Sequence, residues 1–129
     1  MAWNKKKLKL KLAAFFEQKK VRYTLDDEKD KIQFELNLLE REITIYPYLL
    51  IQEDLICLHV NLTKINPKSF DYKKLNDFNE QSSFFKTFVT SGGIVVLEYC
   101  WYVSEHITDI LELLLSQLTL FQNEIDCLE

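Results

Sequence analysis

The sequence predicts an α+β fold: an antiparallel β-sheet with helices packed on it, in the order αβββαββα. Three observations lead there. Apolar and polar residues alternate through the middle of the chain, as where Ile32, Phe34, Leu36 and Leu38 are separated by Gln33, Glu35 and Asn37, which is the period of a half-buried strand. Towards both ends the apolar spacing changes to three and four residues, the helical period. Between two β-rich runs stands Ser91-Gly92-Gly93, where Gly-Gly supplies the positive φ angles of a tight hairpin turn. A sheet with one apolar face must cover it, and helices are the available cover.

The elements follow in chain order. Leu8, Leu12, Phe15, Phe16 and Lys19 recur at helical spacing, and Ala13 and Ala14 favour a helix, so 6–20 read as a short amphipathic helix. Leu8, Leu10 and Leu12 also alternate as a strand would. Val21 to Leu25 is a short extended piece, and Asp26, Asp27, Glu28 and Asp30 make a polar turn before the strand at Ile32. A second β run extends from Ile43 to Ile51, with Pro47 demoting part of it to an edge or a bulge. Gln52 to Asp54 turn the chain into a third strand, Leu55 to Leu62, with Ile56, Leu58, Val60 and Leu62 towards the core and Cys57, His59 and Asn61 away from it. Asn66-Pro67 has the form of a helix N-cap and first turn, opening a helix to about Glu80 with Tyr72, Leu75 and Phe78 as its apolar contacts. The hairpin runs Phe84 to Thr90 and Ile94 to Val103. Ser104 then caps a last helix whose stripe is Ile107, Ile110, Leu111, Leu114, Leu118, Phe121 and Ile125.

With 129 residues, 47% apolar and 28% charged, the chain has the size and balance of a single domain, taken as 1–129, with the basic segment 1–20 as its first helix. Glycine and proline number two each, which leaves no phosphate-cradling glycine loop and no proline-rich linker. The net charge of −4 hides an asymmetry. Up to Arg22 there are eight basic residues and one acid, whereas from Thr87 to Glu129 there is no Lys or Arg at all. The two ends are expected to attract each other.

Cys57, Cys100 and Cys127 are odd in number and lack paired zinc or redox spacing, so free thiols in a reducing compartment are expected, and with them the cytoplasm. Lys9 and Lys11 interrupt the leucines that a secretory signal would need, and no run reaches the roughly 18 apolar residues of a membrane span. Cys57 and His59 sit two apart on one strand face without an oxyanion turn, and His106 beside Glu105 reads as a solvated helix end. The acidic turn at 26–30 lacks the central glycine and twelfth-position glutamate of a calcium loop. The expectation is therefore no catalytic residue, no cofactor and no metal.

Two surfaces remain as binding candidates. Lys5, Lys6, Lys7, Lys9 and Lys11, beside Leu8, Leu10 and Leu12, suit an anionic membrane surface or a phosphate backbone if exposed; otherwise they are the solvated side of a docked helix. Aromatic residues crowd the β segments on both faces, so one set must lie under helices while the other meets a partner. Tyr46, Tyr48 and Tyr102, with Leu113, Leu115 and Leu120 outside the last helix's stripe, are the candidate partner contacts, and a homodimer is expected from them.

The segments Lys31-Ile-Gln-Phe-Glu-Leu, Leu58-His-Val-Asn-Leu and Leu75-Asn-Asp-Phe-Asn79, followed by the hairpin Phe88 to Tyr102 and a long Leu-rich helix, resemble the YbjN-like family. That family is similar in fold to type III secretion chaperones. The resemblance covers roughly 20–125 and implies a non-enzymatic protein-binding module, a chaperone-like adaptor or a regulator of signalling and stress outputs, commonly dimeric. The Lys-rich start and Pro47 depart from the pattern, and no individual functional residue carries over.

Overall fold

The structure, a computed structural model, describes residues 4–38, 43–62, 72–81 and 85–120, with backbone alone for 38, 43 and 117–120. It is an α+β fold. The described helices are α1 (Lys5–Gln18), α2 (Tyr72–Gln81) and α3 (Ile107–Leu120). The described strands are β1 (Tyr23–Asp26), β2 (Lys31–Phe34), β3 (Leu36–Leu38), β4 (Ile43–Ile45), β5 (Tyr48–Ile51), β6 (Leu55–Asn61), β7 (Lys86–Val89) and β8 (Val95–Tyr102). Six strands form one sheet in the order β1-β2-β5-β6-β8-β7, every neighbouring pair antiparallel, and β3 pairs with β4 in a second, two-stranded sheet.

Among the described residues six strands precede α2 where three were expected, and each difference has a local cause. The extended piece after α1 pairs fully with β2 and becomes the edge strand β1. The runs 31–38 and 43–51 form one long ribbon: Ile32 opposes Leu49 and Leu36 opposes Ile45 in a single unbroken register. That register puts Phe34 opposite Pro47. The Phe34 N–H donates to the Pro47 carbonyl at 3.0 Å, but proline has no N–H to return the bond, so the ladder breaks there. Pro47 thus divides the run in two: β5 lies between β2 and β6 inside the large sheet, whereas β4 pairs with β3 alone and is an edge strand, as expected for part of this run.

α1 settles its ambiguous alternation as a helix. Leu8, Leu12, Phe15 and Phe16 are buried while Leu10 is exposed. The helix begins at Asn4, whose Oδ1 accepts the Lys7 N–H at 2.8 Å. It ends with Lys20 at φ 59° and the Val21 N–H bonded back to the Phe16 carbonyl, the left-handed stop that commonly terminates helices. Lys5 bonds Asp30 at 2.9 Å, and Lys9 bonds Asp27 at 3.1 Å and Asp30 at 2.7 Å, pinning the helix to the acidic turn between β1 and β2. Lys19 reaches Glu112 on α3 at 2.7 Å.

One hydrophobic core joins the helices to one sheet face. Phe34, Leu49, Ile56, Leu58, Leu97 and Trp101 meet Leu12 and Phe16 of α1 and Ile107, Leu111 and Leu114 of α3, with Leu75 and Phe78 of α2 packed alongside. Tyr72, expected in that contact, is exposed, and the Asn66-Pro67 helix start lies outside the described residues. Leu115, expected outside the α3 stripe, packs partly against the core. The hairpin turn needs positive φ only at Gly93, at 82°, and Ser104 Oγ accepts the His106 N–H at 3.2 Å ahead of α3.

Asn79 near the end of α2 closes the β7 edge of the sheet. Its Oδ1 accepts the Thr87 N–H at 2.6 Å and its Nδ2 donates to the Thr87 carbonyl at 3.0 Å, so a side-chain amide stands where a further strand would pair. Among the described residues no helix is long and apolar enough to cross a membrane.

Candidate functional site

Strand alternation sends every second residue to the face opposite the helices. On that open face the central strands β6 and β8 carry the polar and thiol groups Cys57, His59, Glu98 and Cys100, where the core face carries Ile56, Leu58, Val60, Leu97 and Trp101. The register sets Cys57 opposite Cys100 and His59 opposite Glu98. Since residues two apart share a face, these four side chains form a compact block across two strands.

The block is chemically linked. Cys57 and Cys100 are joined by a disulfide, with Cα atoms 4.1 Å apart. The free thiols expected from the spacing are therefore a bonded pair, because cross-strand pairing supplies a proximity that a sequence separation of 43 conceals. Cys127 lies outside the described residues. His59 Nε2 lies 2.6 Å from Glu98 Oε2, and its Nδ1 lies 3.3 Å from the Tyr48 hydroxyl. An imidazole that donates from Nε2 to the carboxylate leaves Nδ1 to accept from Tyr48. Burial, and then the Glu98 charge, raise the Tyr48 hydroxyl above the ordinary phenol range, which keeps it a donor.

Aromatic rings surround the block. Tyr48 and Phe88 stand edge-on to His59, with ring centres at 5.2 and 5.9 Å, and Lys31 Nζ sits 4.3 Å over the Tyr48 ring. Cys57 and His59 at the centre are only 4% and 9% exposed, whereas Tyr46 is 55% and Tyr102 is 74% exposed at the rim. Beside Tyr46, an open groove of about 550 Å³ is lined by Arg22, Tyr23, Gln33 and Glu35, where the ribbon leaves the sheet.

The candidate residues thus fall on separate surfaces. Tyr46, Tyr48 and Tyr102 belong to the open face, with Tyr48 half-buried and hydrogen-bonded. Leu113 is 49% exposed on α3, in the helical layer on the other side of the sheet, and the side chain of Leu120 lies outside the described residues. Of the lysines, Lys5 and Lys9 are held by Asp27 and Asp30, Lys11 Nζ bonds the Glu105 carbonyl at 3.3 Å, and Lys6 and Lys7 point to solvent. His106 is exposed beside Glu105 and Asp109, as a helix-end residue.

Glu98 and Cys100 were no site candidates in the sequence, and Cys57 was weighed there only as a nucleophile beside His59 and set aside. A signal existed: Cys57-Leu-His59 and Glu98-Tyr-Cys100 are two strand segments with polar donors at alternate positions, and only the register between them was missing. Compared with known protein families and with curated proteins, the chain matches none, so its function has to be argued from this face.

Proposed function

We propose that the chain is a non-enzymatic protein-binding module, a chaperone-like adaptor of the YbjN-like type, and that it takes its protein partner on the open sheet face. The observation that carries this reading is the exposure of Tyr46 and Tyr102 on a sheet face that none of the described helices covers. Tyrosines supply large contact area at small conformational cost and are enriched among interface residues that dominate binding energy. The block between them, buried at Cys57 and His59, is tied together by the disulfide and by the His59–Glu98 and His59–Tyr48 hydrogen bonds. Leu113, on the helical side, is left for contact with a second copy, so the protein acts as a homodimer that keeps its client face free. In this reading it works in the cytoplasm, where thiol reductants would hold Cys57 and Cys100 reduced for much of the time.

Site-specific photo-crosslinking in cells tests the assignment. A photoreactive side chain at Tyr102 should give a discrete adduct with another polypeptide, and one at Leu113 should give an adduct of two copies of this chain. Absence of any adduct from position 102, or the same adducts from both positions, overturns the reading.

A further inference from the structure

Two sulfurs and a carboxylate converge on the open face. The Sγ atoms of Cys57 and Cys100 and a carboxylate oxygen of Glu98 lie within 4.8 Å of one another. Two thiolates and a carboxylate, with an imidazole at hand, are a donor set that zinc accepts.

We propose that this block binds one zinc ion when the Cys57–Cys100 disulfide is reduced, with Cys57, Cys100 and Glu98 as ligands and His59 as the residue that positions Glu98. The fourth coordination position falls to water. His59 Nε2 lies 2.6 Å from one carboxylate oxygen of Glu98, so an N–H there fixes the carboxylate beside the two sulfurs. Such outer-shell bonds orient metal ligands and tune their basicity. His59 is itself steadied by the Tyr48 hydroxyl at 3.3 Å. Metal uptake of this kind needs no protein partner.

The redox step needs a thiol reductant of the glutathione or thioredoxin class. Its thiolate attacks Sγ of Cys100, the more exposed of the pair, and Cys57 leaves as thiolate. A second reductant thiolate then attacks the reductant's own sulfur in the mixed disulfide and expels Cys100 as thiolate, so two reductant thiols become one reductant disulfide, and two electrons and two protons pass to the protein. Zinc binding releases the two thiol protons to solvent as both sulfurs become metal-bound thiolates. Disulfides of the same class reverse the sequence: oxidation re-forms the Cys57–Cys100 bond and expels the ion.

The test uses the full chain carrying Cys127→Ser, reduced with a phosphine, stripped by a chelator and titrated anaerobically with Co²⁺, then with Zn²⁺. The reduced chain should take up one Co²⁺ with a thiolate-to-cobalt charge-transfer band that Zn²⁺ abolishes, and the oxidised chain should show no band. Cys100→Ser should remove most of the band, and Glu98→Gln should weaken zinc binding. His59→Ala should weaken it about 10–100-fold while leaving the band's intensity and the far-ultraviolet circular dichroism unchanged. His59→Gln, whose amide can still donate to Glu98, should recover part of that loss. A reduced chain that takes up no metal, folded or not, overturns the proposal, as does a band that survives Cys100→Ser unchanged. Zinc affinity unaltered in His59→Ala removes the positioning role.

Discussion

Phe16 shows how far a single residue can be read. Its helical spacing from Leu8 and Leu12 marked it as core, and it is fully buried, 4.7 Å ring to ring from Phe34. Phe16→Ala should cost about 3–5 kcal/mol, measured as a drop in the urea midpoint; a loss under about 1 kcal/mol would mean that α1 does not dock as described. Asp30 was legible only as part of a solvated turn, because its partners are 21 and 25 residues away on α1. Hydrogen bonds from Lys9, then Lys5, hold its carboxyl below its ordinary 3.8. A depressed folded pKa means the unfolded chain takes up the proton first. The stability Asp30 contributes is therefore complete above the ordinary pKa and is lost as the pH falls through the folded one. Asp30→Asn should flatten the acid limb of a melting-temperature profile below about pH 5, and a limb of unchanged slope would remove Asp30 from the acid response.

At the scale of elements, periodicity identified types well and pairings poorly. The alternation from Ile32 to Leu38 is a true property of the ribbon, but the break at Phe34 depends on which residue lies opposite, and nothing local to 31–38 says that it is a proline. The helix that carries Asn79 near its end was legible from its apolar contacts Leu75 and Phe78. Its function in the sheet was not, since an asparagine near a helix end reads as a cap until the neighbouring strand is placed. Thr87 is buried, so removing its partner leaves its backbone N–H and carbonyl desolvated. Asn79→Ala should destabilise by about 1–3 kcal/mol per group left unpaired. Asn79→Asp keeps the acceptor but loses the donor, and should fall between. Hydrogen exchange at the Thr87 amide reads this directly: equal protection in wild type and Asn79→Ala would show that the side chain does not close the edge.

For the whole molecule, what the sequence could not reveal is what covers what. Helical and strand periods identify apolar faces, yet they do not say that α1, α2 and α3 share one side of the sheet, leaving Cys57, His59, Glu98 and Cys100 on the other. The disulfide follows from that global register and should matter globally. Linking residues 43 apart restricts the unfolded chain by about 3–4 kcal/mol in the chain-entropy account. Reduction in the presence of a chelator should lower the urea midpoint accordingly, while an unchanged midpoint would mean that the pair is not bonded in solution. The charge asymmetry is global too, and its weight can be separated from that of burial. Leu8, Leu12, Phe15 and Phe16 each contribute about 1.5–3 kcal/mol as fully buried side chains, whereas an exposed pair such as Lys19–Glu112 gives about 0–1 kcal/mol. Deleting 1–18 removes all four core side chains, a loss comparable with the whole stability of a domain, and should abolish cooperative melting. Changing Lys5, Lys6 and Lys7 together to Gln touches only the Lys5–Asp30 pair and should shift stability by less than about 1 kcal/mol. If the triple variant melted like the deletion, charge rather than burial would hold α1. If the deletion melted like wild type, α1 would be an appendage to a core complete without it.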